Sequence, residues 1–299
     1  MKQSNKHLLI FVIFSLLLLI IGLVLAIRLG SVHITFRDIF NSIFNYSETL
    51  EFMLVRDVRI PRALSVLMTG GILGVTGAMI QGVTRNPIAE PSILGVSQGA
   101  TLVIAIFYAT GIVITTKNVM IASFIGAFLS GIIVLGFISK KANNNSITKI
   151  LLAGTAMSTF FISLTTIIGL LSNQSQMIAF WVSGGFRNAS WSDFLLVFII
   201  GTIGFLIAIL LSPKINILNL GDDVCIGLGE RRFITLMVMI PMCAAAVAVG
   251  KNIAFVGLIV PQVVKKILGE DYRKNIPCSF LLGAVLLTFA DILARMLFN

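Results

Sequence analysis

Apolar runs of about 20 residues, the length a helix needs to cross a bilayer, recur along this chain between short polar interruptions. Nine such stretches are legible: 8–27, 63–83, 93–114, 119–139, 150–171, 194–211, 233–249, 255–267 and 276–298. The eighth is too short to cross unaided and carries Pro261. It is therefore expected to be either a broken helix buried in protein or a re-entrant piece. No linker divides the pattern. The reading is one integral domain over 1–299, an all-α membrane protein built as a multi-helix bundle.

The stretch 59–100 departs from a plain membrane helix. It opens with Arg59 and Arg62, crosses an apolar segment crowded with glycine, and breaks at Arg85-Asn86-Pro87. A second apolar segment starts only after Pro91. Non-helical backbone at membrane depth survives only where protein or a water-filled path satisfies its polar groups, so this stretch is expected to form part of a conduit wall. Small residues also recur four apart, at Gly70 and Gly74, Gly126 and Ser130, and Ala127 and Gly131. Such spacing lets helix backbones approach closely in lipid and predicts a tight bundle. A faint internal echo pairs Arg59 to Ala89 with Arg231 to Ala254: basic residues, an apolar helix, then Arg85-Asn86 or Lys251-Asn252. Inverted copies with broken helices at their junctions are a common transporter device.

Composition excludes a soluble protein. Hydrophobic residues make up 57% and charged residues 11% of the 299, against roughly 25% charged in soluble domains, and mean hydropathy is +1.03. The net charge of +10 arises from 22 Lys and Arg against 12 Asp and Glu. These basic residues lie mostly between apolar spans, which points to topology rather than nucleic acid. Lys2 and Lys6 favour a cytoplasmic N-terminus, and that orientation also places Lys140, Lys141, Lys149, Lys214, Arg231 and Arg232 inside. The exception is 28–62, which would lie outside yet holds five arginines. Another task is expected of them. A cleavable signal peptide is the alternative for the N-terminus; the length of the run and the missing A-x-A site favour a retained helix.

Catalysis finds little support. His7 and His33 are the chain's two histidines and form no metal or triad motif. Cys225, Cys243 and Cys278 lie far apart and read as packing residues rather than a zinc or disulfide framework. Asp291 is the main acid within a span, and its spacing to Arg295 permits a local helix pair; a proton relay is the other reading. No P-loop is present, since Gly250-Lys251 lacks the upstream glycine. Any ATP hydrolysis must then come from a separate polypeptide. The loop at about 212–233 suggests a short helix between glycine-permitted turns, fit to dock on another protein or to serve as an ordinary surface loop.

These motifs, in order, resemble the permeases of iron-siderophore and vitamin B12 ABC importers. Arg59-x-Pro61-Arg62 is followed by Gly77, Gln81, Arg85-Asn86-Pro87, Ala89, Pro91 and Leu94-Gly95; then come Leu220-Gly221-Asp222, Leu228-Gly229, the run from Phe255 to Pro261, and Asp291 with Arg295. The resemblance covers about 55–295. It implies a ten-span family fold, of which about nine spans are recognised, and an ATP-driven permease subunit in a bacterial cell membrane that imports a ferric chelate by alternating access, with no cofactor of its own. Implied partners are a cytoplasmic ATP-binding-cassette ATPase, an extracytoplasmic siderophore-binding protein, and a second copy or a homologous permease. Arg59, Arg62 and Arg295 would receive acids of the binding protein. Leu220, Gly221, Asp222, Leu228 and Gly229 would seat on the ATPase. Gln81, Asn86, Pro87, Pro91, Gly95, Gln98 and Pro261 would lie along the path or gate, with Met79 a further candidate.

Some positions depart from the family pattern. Gln262 stands where the family usually has histidine, Lys265 or Lys266 replaces a common arginine, and the connection after Gly229 is short. The run to Asn299 also lacks the family's last helix, which makes a truncated, non-transporting remnant one alternative reading. Haem or cobalamin import is a second. A stand-alone secondary transporter is a third, and the scarcity of intramembrane acids counts against it.

Overall fold

A computed structural model describes residues 2–30, 32, 34–45, 48–111, 115–138, 147–221, 225, 227–228 and 232–297. Of the residues singled out above, His33, Lys140, Lys141, Asp222, Gly229 and Arg231 lie outside them. The described residues form an all-α bundle. In chain order its helices are α1 (Lys2–Arg28), α2 (Phe36–Phe44), α3 (Leu50–Met53), α4 (Ile60–Thr84), α5 (Val96–Ala109), α6 (Thr116–Ile138) and α7 (Ile147–Leu171). There follow α8 (Ser175–Val182), α9 (Trp191–Leu220), α10 (Arg232–Gly250), α11 (Val256–Leu268) and α12 (Tyr272–Leu297).

Among the described residues, seven helical stretches are long and apolar enough to cross a membrane. They account for seven of the nine expected spans. The other two, α5 with 14 residues and α11 with 13, rise only about 20 Å each. Pro261 does not break α11, which continues through it. This segment is the helical part of a broken crossing rather than a re-entrant piece, because α11 starts inside the bundle beside Gly77 and the chain runs on to Tyr272, which packs against Gly82.

At the centre stands α4, in contact with α1, α9, α10, α11 and α12. The apolar window of its span is 89% buried within the protein, against 11% for α1, so α4 is an inner helix and α1 faces outward. Its small residues explain the position. Gly70 packs against Gly283, Gly74 against Ser279 and Gly77 against Gly257, each backbone to backbone with no room for a Cβ. The other expected small-residue contacts form as well: Gly126 and Ser130 meet Gly99 of α5, and Gly131 meets Ile240 of α10. Where lipid gives helices little hydrophobic reason to associate, such close approach supplies the packing energy. Cys225, Cys243 and Cys278 are buried and free, in the packing role expected of them.

Two helix entries are fixed by side chains. Thr35 and Asp38 form a reciprocal capping box at α2, and Ser190 and Asp193 form one at α9. Between α3 and α4 the backbone passes through a π-helical turn, Leu54–Arg59. That turn carries Arg56 and Arg59 toward the end of the bundle where α1 finishes.

Candidate functional site

The register of neighbours along α4 gives each chain break its depth. Beside it α10 runs antiparallel, with Gly250 against Thr69. The chain leaves α4 at Thr84 and turns back until Pro91 lies against Gly257, level with Gly77. That return spans about 10 Å of helix rise. From the opposite end, the chain leaves α10 at Gly250 and reaches Gly257 at the same level. Two broken crossings thus meet inside the bundle, where α5 and α11 start and from which they run to opposite ends. The sequence echo has a conformational counterpart, since both preceding helices end on a basic residue in the left-handed region, Arg85 at φ 50° and Lys251 at φ 63°.

Gln81 ties the breaks together. Proline at 261 has no N–H to give the Gly257 carbonyl four residues earlier. The buried Gln81 amide takes over, its Nε2 donating to Gly257 O at 3.3 Å and Leu258 O at 3.1 Å. Its Oε1 accepts from Gln262 Nε2 at 2.6 Å, and the same Nε2 donates to Pro87 O at 3.1 Å. Gln262 is therefore a working link between α4, the first break and α11.

Glu90 was not recognised in the sequence. Its Oε1 accepts from the backbone N–H of Phe255 at 2.9 Å, at the start of α11, where Phe255 itself is left-handed at φ 71°. A carboxylate suits that place, because a helix N-terminus carries partial positive charge. The clue was an acid directly before Pro91; its partner, 165 residues away, could not be read from spacing.

The other predicted path residues sit around this knot. Asn86 Oδ1 accepts from Ile88 N–H at 3.0 Å and shapes the turn, whose Pro87 is exposed. Pro91, Gly95, Pro261 and Met79 are buried. Gly95 is left-handed at φ 71° and caps α5, while its carbonyl accepts from Ser130 Oγ at 2.7 Å. Gln98 lies one turn into α5 with its Oε1 buried and without a partner among the described residues. These positions make a packed junction of breaks rather than one open surface.

The predicted arginines also converge, with a division of work. Arg59 is only 7% exposed and donates to the carbonyls of Ile27 and Arg28, both at 2.8 Å, and of Val32 at 2.6 Å. Arg295 donates to Ala26 O at 3.1 Å and Leu29 O at 3.4 Å. Both guanidiniums thus serve the last carbonyls of α1, the negative end of its dipole. Asp291 makes the expected pair with Arg295 at 3.2 Å. It also receives Arg62, Nη2 to Oδ1 at 2.7 Å and Nε to Oδ2 at 3.2 Å. That second partner is 229 residues distant and escaped the sequence reading. Arg28, Arg37 and Arg56 are exposed at this end.

At the opposite end α9 finishes with Leu220, 70% exposed, followed by Gly221 at φ 134°. Leu228 is 61% exposed, while Cys225 is buried and its N–H donates to Gly221 O at 3.1 Å. Gly221 lies close to the Arg85 side chain, so this loop borders the first break.

One further feature went unnoticed in the sequence. Thr155, Thr159, Ser163 and Thr166 form an exposed row along α7. Each hydroxyl donates to the carbonyl four residues earlier, at 2.9 to 3.0 Å. The spacing of four, four and three is the signal that could have found it. Back-bonding makes hydroxyls tolerable in lipid, but a continuous exposed row suits a wet path or a partner helix better.

The fold has a solved counterpart. A chain described as an ABC transporter of metal-chelate type, in an inward-facing conformation, matches with a TM-score of 0.83 and covers 95% of this chain and 90% of its own, at 24% identity. By sequence, residues 18–299 match the FecCD transport family. The "Iron(3+)-hydroxamate import system permease protein FhuB" of Bacillus subtilis (strain 168) is 37% identical over 292 residues, covering 96% of this chain and 76% of that protein. The "Fe(3+)-citrate import system permease protein YfmD" of the same strain is 33% identical over 301 residues, covering 98% and 88%. The "Probable heme-iron transport system permease protein IsdF" of Staphylococcus aureus (strain Newman) is 32% identical over 310 residues, covering 99% and 90%.

Proposed function

This chain belongs to the FecCD transport family, and from that premise we propose that it is the permease subunit of an ATP-driven importer for an iron(III)-siderophore. It is a multi-pass membrane protein and a transport subunit rather than an enzyme. The similarity to permeases named for ferric hydroxamate, ferric citrate and haem iron supports an iron chelate as cargo. The highest of these three identities, 37%, favours a hydroxamate siderophore.

The observation that carries the mechanism is the meeting of two broken crossings, held by Gln81, Gln262 and Glu90 through a few exchangeable hydrogen bonds. Hydrogen bonds of this kind can exchange partners, which makes the junction the element to shift between arrangements in this reading. With the N-terminus in the cytoplasm, Leu220, Gly221 and Leu228 lie on the side of a partner ATPase, and Asp222 and Gly229, outside the described residues, belong to the same proposed coupling segment. Exposed Leu220 and Leu228 offer the apolar contact such docking needs. Motion there reaches the first break through Arg85.

On the same orientation the arginine end faces outward. Acids on an extracytoplasmic binding protein would dock there, and electrostatic pairing of this kind sets approach and register more than affinity. Arg62 and Arg295 would then share or exchange Asp291, while Arg59 holds the end of α1 in place. A second copy or a homologous permease would meet the hydroxyl row of α7, with the path between them. ATP is used by the partner, and no cofactor is assigned to this chain.

The test presents radiolabelled iron as hydroxamate, catecholate and citrate chelates, alongside haem and cobalamin. The host lacks its own permeases and receives this chain with the cognate binding protein and ATPase. Energy-dependent uptake of a ferric siderophore is expected. Uptake confined to haem or cobalamin would overturn the siderophore assignment.

A further inference from the structure

The arginine-bearing end of the bundle also holds a cavity of about 480 Å³ that none of the roles above uses. Its walls come from the end of α5, the start of α6, α8, the start of α9 and the end of α10. The volume falls within the range of small-molecule sites. Val119, Met120, Met177, Phe180 and Val249 make most of the wall apolar.

Its polar groups are two pure donors, the Lys251 ammonium and the Trp181 indole, one acid, Asp193, and the two-way groups of Tyr108, Thr116 and Asn188. Lys251 is half-buried and held in the left-handed region at φ 63°, a conformation unfavourable for a residue with a side chain. Its own N–H donates to Val247 O at 2.7 Å, and the neighbouring Gly250 carbonyl accepts from Gly185 N–H at 3.3 Å. The ion pairs among the described residues do not include the Lys251 ammonium. Burial draws its pKa below the ordinary lysine value, and Asp193, acting at longer range, opposes that shift.

Asp193 is the acid of the wall, and one of its two carboxylate oxygens is engaged. Its Oδ2 accepts from the Ser190 N–H at 2.8 Å and from Ser190 Oγ at 2.6 Å, capping α9. Trp181, another wall residue, is 4% exposed, and its indole N–H has no partner among the described residues. Tyr108 and Asn188 add hydrogen-bonding groups. The unpartnered Trp181 indole and the Lys251 ammonium are the two groups that call for acceptors from an occupant.

We propose that this cavity binds an amphiphilic anion, with an aliphatic body against Phe180 and Met177 and an oxyanion head on Lys251. The head is the chemistry shared by a carboxylate amphiphile and an anionic lipid. The site does not depend on which chelate the chain carries.

Trp181 is one of the chain's two tryptophans, so a Trp191→Phe background leaves it as the sole indole reporter. The full chain is placed in nanodiscs of phosphatidylcholine and titrated with octanoate or octyltrimethylammonium while Trp181 emission is recorded. A saturable octanoate response is expected, absent with the ammonium probe. Lys251→Gln should weaken it about tenfold or more, the weight of a charge-assisted hydrogen bond, and Lys251→Arg should retain it. The arginine variant separates loss of the charge from loss of fold.

Nanodiscs of phosphatidylglycerol distinguish the two sources. If Trp181 emission differs there without probe, depends on Lys251 and no longer responds to octanoate, the lipid is the occupant. If octanoate titrates equally in both lipids, the occupant is a free small molecule. Equal responses to the two charged probes, no response to either probe without such a Lys251-dependent lipid shift, or a Lys251→Gln protein that behaves like its parent, would overturn the proposal.

Discussion

Gln81 shows how one side chain makes an unfavourable backbone usable. Pro261 frees a carbonyl in α11, and the Gln81 amide satisfies it from α4 while accepting from Gln262. Gln81→Leu should therefore cost about 2 kcal/mol, the scale for a buried acceptor left without a donor, read as a lower unfolding midpoint in detergent. Gln262→Leu should cost less, because it leaves both Gln81 donations in place. Asp291 makes a parallel case. Asp291→Asn would leave Arg62 and Arg295 half-buried without their shared countercharge, and a loss of about 3 kcal/mol is expected in the same unfolding assay. Sequence spacing revealed the Asp291–Arg295 pair because four residues make one helical turn. Arg62 was hidden, since only the fold brings residues 229 apart together.

The elements follow from where small residues fall. Gly77 has the Gly257 backbone where a Cβ would stand, whereas Gly136, near the end of α6, has nothing within 4 Å. Gly77→Ala should force α4 and α11 apart and lower stability by about 2 kcal/mol or more, in the range of overpacked cores. Gly136→Ala should be neutral or slightly stabilising. Equal midpoints for the two variants would contradict the account of α4 as an inner helix. Most spans and their close contacts were legible because hydropathy and small-xxx-small spacing are local signals. The depth of α5 and α11 was not. Both are short because their first turns begin inside the bundle, a fact set by Pro91 meeting Gly257 rather than by either segment alone. The π-helical turn at Leu54–Arg59 left no sequence mark either.

At the scale of the whole molecule, the two broken crossings enter from opposite ends and their breaks meet at one depth, an arrangement suited to opening alternately on either side. The hydroxyl row of α7 extends that reading toward a partner subunit. Replacing Thr155 and Thr159 by valine and Ser163 by alanine nearly keeps size and removes three of the four exposed hydroxyls. Uptake is expected to fall, with membrane level and ATPase co-purification unchanged; unchanged uptake would show that the row lies away from the path. The central claim is that this chain conducts a ferric siderophore only when a separate ATPase drives it. The most direct measurement is uptake of radiolabelled ferric hydroxamate into proteoliposomes holding the chain, its ATPase and its binding protein, with either the active ATPase or one unable to hydrolyse ATP. Uptake with the active ATPase alone is the predicted result. Equal uptake with both, or in proteoliposomes without any ATPase, would contradict the account and favour a transporter that works by itself.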